Sequence, residues 1–320
     1  MICGPAANSL NLLNGAWTHT WQGVDERFNT KNKLTILQAL QESFGRDVIQ
    51  FEQGSSLDTI QNLNLLLEKA KASDKIIVCL GETPCTEVVG NIDNLELPQA
   101  QKELVLKLAT LNKPIILVCC FNRPRIIHDL VNKVDAVLYA YLPGDEGGRA
   151  IADCISGKIN PSGKLPFTYP KAANALLHYD HKTTEELDVD FSMNAYRPEF
   201  DFGSGLSYSS FTYSPISLSQ NVVNNFDSIK VSIQVSNTGK VKGKEVVQLY
   251  YKDLVASITP SVKKLCQFTK IELNPGETKT VHFTIHKNDF SFISKNLQRI
   301  TEPGEIELQI VNQKQLINVN

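Results

Sequence analysis

Long apolar runs are missing from this chain. No stretch approaches the roughly 20 residues that a membrane-spanning helix requires, so no membrane partner is expected. An excess of positive charge is missing too. The 320 residues hold 32 Lys and Arg against 34 Asp and Glu, a net charge of −2, which leaves no electrostatic footprint for nucleic acid. The opening MICGPAANSLNLLNG has neither a basic segment nor a long apolar one. No signal peptide is therefore expected; the compartment stays open, with the cytoplasm as default. Cysteine is sparse and unpatterned. The seven are an odd number, with no C-x-x-C pair and no Cys/His cluster at zinc spacing. Cys79, Cys119, Cys120 and Cys154 fall in apolar runs or on helix faces and read as free buried thiols of a reducing compartment.

Other cofactor signatures are also lacking. NTGKVKG (237–243) lacks the spacing of a phosphate-binding loop and reads as a turn. Ser9 and Ser162 lie outside any G-x-S-x-G elbow. Glu185, Glu186, Asp188 and Asp190 lack a ligand-spaced loop with glycine, so they read as a solvated connection rather than a calcium site. His178 and His181 have no third ligand in view. No metal and no cofactor is expected.

What is present is a change of rhythm along the chain. In the first half, helix-spaced segments at 34–43, 58–70, 98–111, 125–133 and 146–157 alternate with short apolar runs, KIIVCL (75–80), PIILVCC (114–120) and AVLYAY (136–141). Alternating β and α units predict an α/β fold, a doubly wound, mostly parallel sheet forming an α/β sandwich over 1–170. Residues 171–215 lose the rhythm and read as a structured connection. From 216 to 320, period-two alternation broken by NTG, NPGE and EPGE predicts an all-β, immunoglobulin-like sandwich.

GETPCTE (81–87) follows directly on KIIVCL. Ligands of open α/β sheets bind beyond the carboxyl ends of the strands, so Glu82 and Glu87 are placed where chemistry is expected. The ordered set GPAANS, GAWTHTWQG, GETPCTE, NLELPQAQ, LPGDEGGRAIAD, NPSGKLPFTYP and FDFGSGLSYSSF resembles the C-terminal part of glycoside hydrolase family three, the β-glucosidase family. VSNTGKVKGKEVVQLY with LNPGETKTVHFTI resembles the fibronectin type III-like domain that follows in many members. The resemblance covers nearly the whole chain, and NPSGKLPFTYP with FDFGSGLSYSSF is its most specific part.

The resemblance implies retaining hydrolysis of a β-linked glucoside or oligosaccharide. Two carboxyl groups about 5–5.5 Å apart share that work, one as nucleophile and one as acid and then base. Family members carry the nucleophilic Asp on an N-terminal (β/α)8 barrel. Such a barrel takes about 250 residues, for which these 320 have no room, so no nucleophile is present by resemblance. The implied alternatives are a part of an enzyme whose barrel is a separate polypeptide, a non-catalytic module binding carbohydrate or protein, and a truncated fragment. The resemblance puts the acid/base at Glu87, with Glu82 as second choice or loop-orienting residue; for each, a helix cap, a surface ion pair or solvation is the ordinary alternative. Trp21 matches an aromatic that stacks on the sugar beyond the cleaved bond, and Trp17 is its neighbour. An indole covers the CH face of a sugar well; a core position is the alternative for both. Three departures stand near the loop: Cys85 where the family often has Tyr, Asn91 where it often has Asp, and Asn122-Arg123-Pro124 in place of Gly-Arg-Pro.

Overall fold

A computed structural model describes residues 1–186, 196–224 and 227–320. It divides into two compact units, one of residues 1–159 and 170–174, the other of residues 160–169 and 175–320.

The first unit is built on four parallel strands, β1 (Ile2–Cys3), β2 (Ile76–Gly81), β3 (Ile115–Cys120) and β4 (Ala136–Tyr139), adjacent in that order. Its helices are α1 (Asn11–Asn14), α2 (Ile36–Phe44), α3 (Leu63–Lys71), α4 (Gln99–Ala109), α5 (His128–Val131) and α6 (Gly147–Ile155). Every residue of β2 is buried, as a strand covered on both faces requires. On one face Ile2, Ile77, Cys79, Val118 and Cys120 meet Ile36, Leu40, Ile151 and Ala152 of α2 and α6. The intervening Val78, Leu80, Leu117 and Cys119, also buried, point to the other face by strand alternation. β1 was not legible in the sequence. It also bridges Phe51 in parallel, the Ile2 amide donating to the Gln50 carbonyl at 2.9 Å. Counted with that segment, the chain order across the sheet is 2-1-3-4-5, which reverses direction between β1 and β2.

The expected helices form, with two trimmed. The one read over 58–70 begins only at Leu63. Ser56 Oγ accepts from the amides of Asp58 and Thr59 at 3.3 and 3.0 Å and closes a turn that competes with helix. The one read over 125–133 keeps a single turn, His128–Val131. α2 has the full capping box, with Thr35 and Gln38 each bonding the other's amide.

In the second unit, β5 (Phe211–Tyr213), β6 (Ser217–Leu218), β7 (Val222–Val223), β8 (Ser228–Asn237), β9 (Gly243–Asp253), β10 (Lys264–Leu273), β11 (Thr278–His286), β12 (Phe292–Ile293), β13 (Arg299–Ile300), β14 (Gly304–Ile310) and β15 (Gln313–Val319) form the sandwich. One sheet runs β10-β9-β14-β15-β7; the other runs β11-β8-β5 with β6 beside β8, and β12 pairs with β13. Inward residues of both sheets, among them Val231, Ile233, Val247, Leu249, Phe283 and Leu308, share one core. The NTG segment is a turn, as expected: the buried Asn237 amide donates to Val241 and Leu273 and accepts from Ser209 and Gly239.

Residues 160–169 and 175–215, read from sequence as the end of the first domain and a connection, pack in this second unit. The two most specific motifs turn out to be partners. Leu165 exchanges backbone bonds with Ser204 and Gly203, and Tyr169 with Phe200 and Glu199, at 2.8–2.9 Å. His181, buried, stacks on Tyr196 at 3.6 Å and bonds Glu186 at 3.0 Å, while His178 meets Glu185 at 3.4 Å. Asp188 and Asp190 of the acidic stretch lie outside the described residues. Among the described residues no group of three His, Cys, Asp or Glu could hold a metal ion, and no helix is long and apolar enough to cross a membrane.

Candidate active-site loops at the carboxyl edge of the parallel sheet

The GETPCTE loop is fixed at its root before it reaches solvent. Gln101 of α4, fully buried, accepts from the Gly81 amide and donates to its carbonyl, both at 3.0 Å. This pins the last residue of β2 and explains the second glutamine of the LPQAQ motif. The next residue, Glu82, is only 7% exposed. Its carboxylate accepts from the Arg123 guanidinium, from Arg125 Nε at 2.9 Å and from the Arg123 amide at 3.2 Å. The same arginines reach outward along the loop. Arg123 donates to the Gly90 carbonyl and contacts Cys85 Sγ at 3.1 Å; Arg125 donates to the carbonyls of Asn94 and Glu96 at 3.0 and 3.2 Å. Charge-assisted, forked bonds of this kind set position as well as energy. Glu82 is thus a root contact for the whole 82–96 segment.

Glu87 stands at the other end of the loop. It opens the short 3₁₀ turn Glu87–Gly90, is exposed, and has a left-handed backbone, φ 56°. Val88 and Val89 beside it are exposed as well.

GAWTHTWQG forms the neighbouring loop after β1. Both tryptophans lie at the surface, Trp17 66% and Trp21 50% exposed, so the core alternative does not describe either. The Trp17 amide donates to the carbonyls of Thr20 and Trp21, both at 3.0 Å. Gly23 closes the loop: its φ is 74°, and a Cβ there would stand 2.3 Å from the Gly15 carbonyl oxygen. His19 Nε2 and Asn14 Nδ2 meet Asp145 Oδ1 at 3.0 and 2.9 Å. Burial alone would push the Asp145 carboxyl up, but bonds from Thr30, His19 and Asn14 together hold it below the ordinary range.

One pair ties the two loops. Thr86 donates its amide to Gln22 Oε1 at 3.0 Å, and Gln22 Nε2 donates to the Thr86 carbonyl at 3.3 Å. Trp21 and Glu87 each stand directly beside a member of this pair, so it ties together the loops that carry them. Tyr141, after β4, joins the same edge. It packs edge-on against Tyr139 at 4.5 Å, whose hydroxyl donates to the Arg123 carbonyl at 3.1 Å, and burial pushes the Tyr141 phenol up. Trp17, Glu87 and Tyr141 share left-handed backbone, φ 59°, 56° and 56°. Such strain concentrates where a fold presents side chains for binding or chemistry.

Gln22, Arg125, Asp145 and Tyr141 were not singled out from sequence. Only Tyr141 carried a local signal, an aromatic at the end of a strand and before a proline turn. The partners of the others lie far away in the chain, as with Arg125 and Glu82 at 43 residues, Gln22 and Thr86 at 64 and Asn14 and Asp145 at 131.

The fold is thus a parallel α/β layer with an acid and aromatics on its carboxyl-edge loops, together with a β-sandwich. Residues 1–208 match the glycosyl hydrolase family 3 C-terminal domain, and residues 245–314 match the fibronectin type III-like domain. The chain belongs to glycosyl hydrolase family 3. Over 332 aligned residues it is 35% identical to the lysosomal beta glucosidase of Dictyostelium discoideum, covering 98% of this chain and 40% of that protein. It is 30% identical to the periplasmic beta-glucosidase of Salmonella typhimurium, covering 97% and 44%. The crystal structure of beta-glucosidase from Listeria innocua in complex with glucose superposes with a TM-score of 0.88 at 29% identity, covering 100% of this chain and 45% of that one. The chain thus spans less than half the length of these relatives, and corresponds to their C-terminal part.

Proposed function

We propose that this chain supplies the proton-transferring loop and an aromatic wall for retaining hydrolysis of a β-glucosidic bond. The nucleophile comes from a barrel that is not among these 320 residues. Glu87 protonates the departing oxygen and then takes a proton from the attacking water; Trp21 stacks on the sugar beyond the cleaved bond; Glu82 anchors the loop through Arg123 and Arg125. The observation that carries this reading is the Gln22–Thr86 pair, which sets Trp21 and Glu87 on two loops locked side by side. Exposure of Glu87, Val88 and Val89 fits a tip that a second surface covers. Covering it would supply the desolvation that a general acid needs.

The test is reconstitution. The chain is mixed with a separately made family barrel and assayed on cellobiose and on a nitrophenyl β-glucoside. Hydrolysis is expected only from the mixture. Glu87→Gln should lower kcat/KM on cellobiose by about 10²–10⁴-fold, the usual contribution of a positioned acid, and kcat/KM on the nitrophenyl substrate, whose leaving group needs no proton, by much less, while kcat on both falls because the base for the attacking water is lost. Equal rates for Glu87→Gln and the unaltered chain on cellobiose would defeat the assignment.

A further inference from the structure

The sheet reverses its winding between β1 and β2, and ligands of such sheets sit in the crevice that opens there. A cleft of about 550 Å3 occupies this place, lined by Gly4, Pro5, Asn8 and Ser9 after β1, by Phe51, Gln53, Leu57 and Asp58 beside it, and by Thr83 and Pro84 after β2. The volume is that of a small-molecule site, roughly 300–1,000 Å3. Gly4 makes the floor possible. Its φ is 94°, and a Cβ there would fall 2.3 Å from the Cys79 carbonyl oxygen, so only glycine lets the chain cross β2 this closely. Neither Glu87 nor Trp21 lines the cleft.

Of the polar side chains that line it, Ser9, Asn11 and Ser56 are already bonded within the chain, while four others are unspent. The side chains of Gln53, Asp58, Glu26 and Thr83 make no hydrogen bond among the described residues. Asn8 Oδ1 accepts from Thr35 at 2.9 Å, which leaves the Asn8 amide nitrogen as a donor. The lining contains no Lys, Arg or His. A phosphate, sulfate or carboxylate would meet two carboxylates and no cation, so anionic ligands are excluded on charge. What remains is a set of carboxylate and amide acceptors, with amide and hydroxyl donors, around apolar surface from Leu12, Val24, Phe51, Leu57 and Pro84. That mixture suits a compact molecule whose rim is all hydroxyl and whose faces are CH.

We propose that the cleft between the ends of β1 and β2 binds a neutral, monosaccharide-sized polyol, with Asp58 and Glu26 accepting from its hydroxyls and Gln53, Asn8 and Thr83 completing the set. The occupant touches Thr83 and Pro84 at the root of the GETPCTE loop, so filling the site also braces that loop. This inference stands whether or not the role given above to Glu87 holds.

The full 320-residue chain is titrated with D-glucose by saturation-transfer difference NMR, with glucose 6-phosphate as the anionic comparison. Saturable glucose binding is expected, with Asp58→Asn weakening it about tenfold and Thr83→Val about fivefold, the losses of a charged and a neutral hydrogen bond. Repeated in a Trp21→Ala background, which removes the stacking contact proposed above, the titration should still show this Asp58- and Thr83-dependent binding, and glucose 6-phosphate should bind more weakly than glucose. Asp58 and Thr83 are exposed on the rim, and circular dichroism of each variant confirms folding. Absence of saturable binding overturns the proposal. So does binding lost in Trp21→Ala but intact in Asp58→Asn and Thr83→Val, and so does glucose 6-phosphate binding as tightly as glucose.

Discussion

Replacing Glu82 by Ala tests whether the root of the acid loop is held electrostatically. Its side chain is 6% exposed, those of Arg123 and Arg125 18% and 13%. Removing the carboxylate takes the Glu82 charge away from two largely buried guanidiniums, and breaking a buried pair from one side costs about 3–5 kcal/mol. The α-helices of the described residues all belong to the first unit, so circular dichroism at 222 nm during urea unfolding follows that unit. With a urea dependence near ~2 kcal/mol per molar, the midpoint should fall by about 2 M. The loop from 82 to 96 should also become the first site of proteolytic cutting, because the carbonyls of Gly90, Asn94 and Glu96 lose fixed donors. Replacing Glu82, Arg123 and Arg125 together by Met should restore the part of the midpoint lost to uncompensated charge, while the loop, whose Gly90, Asn94 and Glu96 carbonyls then lose their arginine donors, stays open to protease. A midpoint shift below about 0.5 M for Glu82→Ala, or a triple variant less stable than the single one, would refute the reasoning.

Three further outcomes are expected of the same molecule. Glu87→Gly should stabilise the first unit by about 0.5–1 kcal/mol, because relief of a left-handed backbone, about 1–2 kcal/mol, exceeds the entropy glycine adds; Glu87→Ala should not, and urea midpoints decide between them. The Asp145 carboxyl is held below its ordinary range, so its contribution is present above the unfolded value and is lost as pH falls below about 4. Near-ultraviolet dichroism of Trp17 and Trp21 should report that loss, and Asp145→Asn should show the loosened signal already at neutral pH. Finally, Cys3 and Cys120 are pushed by burial up to about 12, with Cys79 and Cys119 well above their usual value. A disulfide reagent at pH 8 should therefore leave these four unreacted until denaturant is added, while Cys85, half-buried beside Arg123, reacts in the native chain.

The legible part of the fold was the part with strong local signals. After Lys75 and Pro114, KIIVCL and PIILVCC are β-branched or apolar throughout and bounded by turn residues, and they became the two central strands. β8 alternates inward and outward along its length, and its period alone places it in a sandwich. β1 was not legible because two residues carry no period, and it is a strand only because β2 and the segment at 49–53 offer it partners. NPSGKLPFTYP and FDFGSGLSYSSF were conspicuous as motifs, yet nothing local says that they pair with each other. In the site, Glu82 and Glu87 could be located by their place after a strand, but not told apart by spacing.

By itself, the order of residues determined which elements form, since apolar period, capping residues and turn chemistry act over a few neighbours. It also determined that acids and aromatics fall at the ends of strands. Only the tertiary structure decided which acid is buried between arginines and which is left at the tip, that Gln22 ties the tryptophan loop to Thr86, and that β1 and β2 part to leave a cleft. Those outcomes depend on groups tens of residues apart being brought within hydrogen-bond range, and strand order and helix packing, rather than any local preference, set that distance.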